Sequence, residues 1–372
     1  MRVLGFMTGT SLDACDMAVL ETDGEQIQAF GPAGERKLSE PLRDLLLEAT
    51  RAALSWARDT QPPAIFAKAA VAVAREHLDA GSEFLAAHHL SWDRIDLIGM
   101  HGQTVLHERP RPGRIGRTVQ LGDGEWLAAA TGVPVVLDFR AADVAAGGEG
   151  APIAPAYHLA RARASGLKPP LGVLNVGGVA NLTLWTEEDA FVAFDTGPGN
   201  GMIDLLVQQR GAGRFDDDGR LAAAGQVDEG VLAALLAHPY FDAPAPKSLD
   251  RYDFPLEPLA HLGLEDAAAT LVAFSAEGVR RGFDLAGAAP AEVIVCGGGR
   301  HNPQLMKAFA ERLPMPVRAA EAHGWRGDSI EAEAMAYLAA RRARDLPFTY
   351  PSTTGVPEPM TGGHIAYPTK RT

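Results

Sequence analysis

The sequence predicts an α/β fold built as two successive halves, and three observations point to it. The chain has 372 residues, more than one ordinary small domain and suited to two domains of common size. Short apolar runs alternate with longer stretches in which Leu, Ala and Val recur at three- and four-residue steps, the patterns of buried strands and amphipathic helices. After the small-residue stretch 145–155 the order of elements begins again, so each half opens with a short strand meander and a Gly- and Thr-rich turn. Similarity between the halves is too weak to count as a sequence repeat.

In the first half, Val3–Met7 is a strand, Thr8–Ser11 a turn and Met17–Leu20 a second apolar run, with Asp23-Gly24 as a hairpin signal. The opening is therefore strand–turn–strand. Helical periodicity follows over about 39–58 and 64–88. Ile95–Met100 is a strand with His101-Gly102-Gln103-Thr104 in the loop at its end. Val119–Gly122 is another strand, Gly124–Ala130 a helix, and Val133–Leu137 a buried strand ending at Asp138-Phe139-Arg140.

In the second half, strands are expected at Leu171–Val176, Ala180–Trp185 and Phe191–Phe194, and a helix from near Met202. Further helices cover about 228–237, 264–284 and 303–313, and the strand Glu292–Cys296 runs into Gly297-Gly298-Gly299. A last long helix over about 329–344 precedes a tail rich in Pro and Gly. The expected domains are 1–140 plus 345–372, and 141–344.

Composition narrows the function. A 47% hydrophobic chain with 22% charged residues is globular. Its net charge of −13 argues against a nucleic-acid groove, which needs clustered Lys and Arg. An anionic substrate must then be held locally, by backbone amides or a metal. Two cysteines, Cys15 and Cys296, provide neither a disulfide framework nor a metal-ligand spacing. The N-terminus lacks the apolar core of a signal peptide and no run approaches a membrane span, so a cytoplasmic protein with no membrane contact is expected.

No GxxxxGK[ST] loop and no HExxH helix occurs. There are instead three Gly-rich turns, each directly after an apolar strand: Gly9-Thr10-Ser11-Leu12-Asp13, Asp195-Thr196-Gly197-Pro198-Gly199-Asn200, and Gly297-Gly298-Gly299. Glycine lets backbone N–H groups approach an anion, hydroxyls add donors, and nearby Asp can hold hydrated Mg²⁺. One such turn is ordinary turn chemistry; three at strand ends, two of them with Asp and hydroxyl residues, favour nucleotide binding.

Several segments resemble the anhydro-N-acetylmuramic acid kinases. They are Gly5–Asp16, Gly99–Thr104, Gln120-Leu121-Gly122-Asp123, Asp138-Phe139-Arg140 with Gly147–Pro152, Leu174–Leu182, Phe194–Asn200, Cys296–Pro303 and Gly327–Ala332. The resemblance runs in order from about residue 3 to about residue 356. It implies two ribonuclease-H-like domains of the actin/hexokinase type with the active site in the cleft between them. The implied reaction opens the 1,6-anhydro bond of 1,6-anhydro-N-acetylmuramic acid and phosphorylates O6. ATP and water are consumed, N-acetylmuramate 6-phosphate and ADP are released, and peptidoglycan fragments are recycled in the bacterial cytoplasm. ATP, Mg²⁺ and a homodimer come with it. The alternatives are an actin-fold ATPase of filament or chaperone type, or an acyl kinase.

On this resemblance Gly9, Thr10, Ser11, Leu12, Asp13, Ala14, Cys15 and Asp16 are assigned to the ATP phosphates, and Gly197, Gly199 and Asn200 to the same phosphates from the second domain. Gly297, Gly298, Gly299 and Asn302 are assigned to adenosine. Glycine at 9 would suit close backbone approach and any φ > 0 conformation. The wider superfamily begins its first phosphate turn with an Asp, where this chain has Met7-Thr8, so no metal position carries over; Asp13 and Asp16 are the nearest carboxylates and the sequence does not choose between them. His101, Gln103 and Thr104 are candidates for the sugar. Arg140 is a planar fork for a phosphate or carboxylate, or an interdomain ion pair. Asp195 is the candidate base, with Glu331 as rival, itself also readable as a first-turn acid on a helix dipole. Lys247 is expected to be exposed in its loop, and Asp216-Asp217-Asp218 to be a solvated acidic loop.

Overall fold

The computed structural model describes residues 1–9, 11–111, 113–249 and 253–369. The chain forms two compact units, Met1–Ala164 with Ser329–Pro351 and the segment from Gly355 on, and Ser165–Asp328 with Ser352–Thr354.

The first unit opens with β1 (Arg2–Thr8) and β2 (Ala14–Thr22), antiparallel with Leu4 opposite Val19, and β3 (Ile27–Lys37) follows antiparallel to β2. The sequence reading missed β3 because Gly31 and Pro32 interrupt it, a composition that only an edge strand tolerates. Helices α1 (Glu40–Leu54) and α2 (Ile65–Ala87) bury one face each, Leu42, Leu46, Ala49 and Ala53 in α1. Then β4 (Leu97–Met100) returns parallel to β1. A hairpin of β5 (Gln103–Glu108) and β6 (Arg117–Leu121) comes next. Gln103 and Thr104 thus lie in a strand and not in the expected loop.

Asp123 caps α3 (Gly124–Thr131) by accepting the Trp126 N–H at 2.9 Å, and β7 (Val135–Leu137) adds parallel to β4. Short α4 (Ala141–Ala145) and buried α5 (Pro155–Ala164) complete this stretch. The sequence reading treated 145–155 as a boundary, but the stretch is tied down. Asp143 Oδ1 accepts the Gly150 N–H at 2.7 Å, the Gly150 carbonyl accepts from Arg140 at 2.8 Å, and Tyr157 of α5 donates to buried Glu333. The change of unit therefore comes at Ala164/Ser165 and not at residue 140.

The second unit repeats the plan. Strands β8 (Leu171–Val176), β9 (Val179–Glu187) and β10 (Ala190–Pro198) form an antiparallel meander. Helices α6 (Gly201–Gln209), α7 (Arg220–Ala224), α8 (Glu229–Leu236) and α9 (Leu264–Ala286) follow, then β11 (Val293–Cys296), α10 (Pro303–Arg312) and β12 (Val317–Ala319). The last helix, α11 (Ile330–Ala343), and β13 (His364–Ala366) belong to the first unit, whereas the sequence reading put 329–344 in the second. Asp216 is buried and its carboxylate accepts the Leu221 and Ala222 N–H groups, so the expected solvated acidic loop is in part a helix cap.

The two sheets run β13-β7-β4-β1-β2-β3 and β10-β9-β8-β11-β12. In each, an antiparallel three-strand meander is extended beyond its first strand by two parallel strands. These are two ribonuclease-H-like units of the actin/hexokinase type, and each has its own apolar core. In the first, α11 lies directly on the sheet. A Cβ on Gly5 would stand 2.0 Å from the Ala332 carbonyl oxygen, and one on Gly99 2.2 Å from that of Met335. Gly5 and Gly99 are partners across β1 and β4, so together they make the flat spot on which the helix rests.

Candidate active site

In the first unit the β1–β2 turn carries Gly9, Ser11, Leu12 and Asp13; Thr10 lies outside the described residues. Ser11 Oγ donates to Asp13 Oδ1 at 2.6 Å, and the same oxygen accepts the Ala14 N–H at 3.0 Å. Both Ser11 and Asp13 are exposed. Leu12 takes the left-handed conformation, φ 55, and points into the core, while Gly9 is absent from the positive-φ residues. The strained residue of the turn is thus Leu12, and glycine at 9 serves space. A Cβ there would meet Ser11 Oγ at 3.3 Å and the Ser11 backbone nitrogen at 4.0 Å. Ala14, Cys15 and Asp16 already belong to β2. Cys15 is fully buried in the core, and burial pushes its thiol well above the usual range.

The end of β4 brings His101 and Arg140 together. Arg140 Nε donates to His101 Nε2 at 3.1 Å, and His101 Nδ1 donates to the Gly102 carbonyl at 2.8 Å. Burial first, and the Arg140 charge next, push the imidazole down to about 3, so it stays neutral with its proton on Nδ1. Beside it, Gln103 is buried and donates to the Thr104 carbonyl at 3.2 Å, while its Oε1 has no partner. Gln120 of β6 donates to Thr104 Oγ1 at 3.2 Å, and its Oε1 is also unpartnered. Two buried amide oxygens with unused hydrogen-bonding capacity are what hydroxyl donors of a ligand would satisfy. Gln120 was quoted in a motif and given no role; its alternation with Thr118 on β6 was the available signal. Glu331 is half-buried in the first turn of α11.

In the second unit Asp195 is buried within β10, opposite Asn181, because the strand runs on to Pro198 and does not stop at Phe194 as expected. Its Oδ2 accepts the Leu249 N–H at 2.7 Å. Beyond it the chain folds back on the β8–β9 turn. Gly199 and Gly201 N–H donate to the Gly178 carbonyl at 3.0 and 3.1 Å, and Asn200 N–H to the Gly177 carbonyl at 2.8 Å. A Cβ on Gly199 would stand 2.3 Å from the Gly177 oxygen, so this glycine seals backbone on backbone; Gly197 is buried against Phe241. Gly178 has open space where a Cβ would be. Lys247 is 8% exposed, against the expectation of an exposed loop lysine, and burial pulls its pKa down to about 8.

The third turn divides in the same way. Cβ atoms on Gly297 and Gly299 would collide with Asn175 Oδ1 at 2.4 Å and Val176 Cγ1 at 2.2 Å, whereas Gly298 meets nothing within 4 Å. Arg300 fixes the turn with two bonds to Asp328, at 2.7 and 2.6 Å, and one to Glu321. Asn302 caps α10, its Oδ1 accepting the Gln304 and Leu305 N–H groups. Among the described residues no cluster of three His, Cys, Asp or Glu side chains could hold a metal ion, and no helix is long and apolar enough to cross a membrane.

The sequence matches the family described as anhydro-N-acetylmuramic acid kinase over residues 1–368. It is 72% identical over 368 residues to the anhydro-N-acetylmuramic acid kinase of Phenylobacterium zucineum, covering 99% of this chain and 100% of that one. With that of Caulobacter vibrioides it shares 67% over 365 residues, 98% of each. Among solved structures, a ROK family glucokinase from Streptomyces griseus in complex with glucose and AMPPNP is similar at 13% identity and a TM-score of 0.43, over 92% of this chain and 100% of that one, too distant to bear on chemistry. On the full-length family match, the chain belongs to the anhydro-N-acetylmuramic acid kinase family and is an enzyme, a kinase acting on small molecules.

Proposed function

We propose that the enzyme transfers the γ-phosphoryl group of ATP to O6 of 1,6-anhydro-N-acetylmuramic acid while water opens the anhydro bond, giving N-acetylmuramate 6-phosphate and ADP in cytoplasmic peptidoglycan recycling. Water adds to the anomeric carbon, the C1–O6 bond breaks, and the freed O6 attacks the γ-phosphorus; the water's proton goes to a base. Asp195 is that base. The observation that carries this role is a buried carboxylate, aimed by the Leu249 N–H, on the strand that runs into the Gly197–Gly201 turn. Glu331 is the second candidate carboxylate.

Gly9, Ser11 and Asp13 on one unit, and Gly177, Gly178 and Asn200 on the other, are assigned to the phosphates; Gly298 is assigned to adenosine. His101, Gln103, Thr104, Gln120 and Arg140 are assigned to the sugar, with the amide oxygens accepting from hydroxyls and the neutral imidazole orienting the guanidinium that faces the carboxylate. Mg²⁺, which keeps several waters and binds through phosphates and one or two carboxylates, is the proposed metal. When bound, Mg²⁺ would neutralise charge developing on the transferred group. A homodimer is the proposed assembly, checked by its mass in solution.

Asp195→Asn keeps the shape and removes the base. The kcat for sugar-dependent ADP release should fall by at least about a hundredfold, within the usual range of general-base assistance, with ATP affinity little changed. Near-normal kcat, or recovery at high Mg²⁺, would remove the assignment.

A further inference from the structure

The loop before Asp195's hydrogen-bond partner has a construction of its own. The Asp195 N–H donates to the Lys247 carbonyl at 3.0 Å, and two residues on the Leu249 N–H donates to Asp195 Oδ2 at 2.7 Å. The loop therefore runs along β10 and offers a carbonyl to the Asp195 N–H and an N–H to the Asp195 carboxylate. The other end of the loop is fastened to the same residue, since the Tyr240 hydroxyl donates to the Asp195 backbone carbonyl. Lys247 then ties the ends together. Its Nζ donates to the Tyr240 carbonyl at 2.7 Å and stands 4.4 Å from the centre of the Tyr240 ring. Tyr240 is in turn packed edge-on against Phe241 and Phe254.

We infer that Lys247 and Tyr240 are positioning residues for Asp195: they close the 240–249 loop so that the Leu249 N–H holds the carboxylate in one orientation. Neither is assigned contact with substrate. A lysine this deeply buried is a poor device for stability, because removing an ammonium from water is costly and one carbonyl, one ring face and the charge of Asp242 replace only part of its hydration. A methionine would fill the same channel without that penalty. The inference rests on Asp195 being the base.

The test is the full-length enzyme carrying Lys247→Met, Tyr240→Phe or Asp195→Asn, each measured for kcat, KM for ATP and for the anhydro-sugar, and Tm. For Lys247→Met the expected result is a kcat lower by about tenfold or more, the factor set by a small misplacement of a reacting group, with KM for ATP within about twofold and Tm unchanged or higher. Tyr240→Phe, which removes one hydroxyl and keeps the ring, should lower kcat by about three- to tenfold, the span of one hydrogen bond. A merely structural role would instead lower Tm and leave kcat per folded molecule unchanged, and that result overturns the proposal. Normal kcat in both variants while Asp195→Asn is inactive also overturns it and spares the base. Normal kcat in Asp195→Asn overturns both. Should Lys247→Met fail to fold, Tyr240→Phe decides alone.

Discussion

The β1–β2 turn of the first unit and the β8–β9 turn of the second occupy the same place in the same sheet plan, yet they are built from opposite materials. The first is long, exposed and polar, held by the Ser11–Asp13 hydrogen bond, with one left-handed leucine rooting it in the core. The second is two residues, Gly177 and Gly178, with the 199–201 backbone folded onto it through three N–H bonds. One offers side-chain oxygens that can rearrange; the other offers fixed backbone and almost no side chain. The five-strand plan common to both sheets thus carries two different turns.

That contrast can be broken most severely at Gly199. A valine there would drive Cβ to 2.3 Å from the Gly177 carbonyl oxygen, a backbone atom with nowhere to go. Gly199→Val should destabilise the protein by about 3 kcal/mol or more, read as a lowered urea midpoint; a midpoint within error of the parent would mean that the two turns are not sealed together. Gly9→Val is the matched change in the first unit, and its consequence should be functional. The Cβ meets nothing nearer than the exposed Ser11 hydroxyl at 3.3 Å, so stability should change by about 0.5 kcal/mol or less. ATP affinity by calorimetry should nevertheless fall by about tenfold, roughly 1.4 kcal/mol, as the branched side chain occupies the space assigned to phosphate. Unchanged affinity would detach this turn from the nucleotide.

The sheet plan was legible in the sequence wherever burial was two-sided. Strands such as Val3–Met7, Leu171–Val176 and Glu292–Cys296 are continuous apolar runs, and the structure has β1, β8 and β11 there. It was illegible where a neighbour supplied what composition lacked. Edge strand β3 contains Gly and Pro, and β13 gets its strand character from pairing with Val135–Leu137. The loop 145–155 looks like a linker because the bonds from Asp143 and Arg140 that anchor it are not a local pattern. Glycines showed the same limit at the site. Sequence marks Gly297, Gly298 and Gly299 alike, but two of them make room for β8 and one faces open space. Lys247 looked exposed because nothing nearby in sequence foretells that it reaches back to Tyr240.

The smallest expected effect sharpens the comparison through charge. Among the described residues each unit has a carboxylate held down to about 2 by basic partners: Glu108 in the first, bonded to Arg117, Arg58 and Arg114, and Asp328 in the second, bonded to Arg300 and His301. Free carboxylates titrate near ~4.3 for Glu and ~3.9 for Asp. Both groups therefore contribute stability that is fully present above about pH 4 and is lost as pH falls toward 2, because the unfolded chain takes up those protons first. The contributions should differ. Asp328 is 62% exposed, so solvent screens its pairing, and Arg300 keeps Glu321 and the Gly297 carbonyl when it is gone. Asp328→Asn should change stability by less than about 0.5 kcal/mol. Glu108 is 32% exposed and is shared among three guanidiniums, so Glu108→Gln should lose about 1 kcal/mol at pH 6. Urea midpoints of parent and variant should then draw together as pH approaches 2, where the parent's own Glu108 is about half protonated. A gap of constant size from pH 6 downward would mean that Glu108 acts through packing and not through its charge.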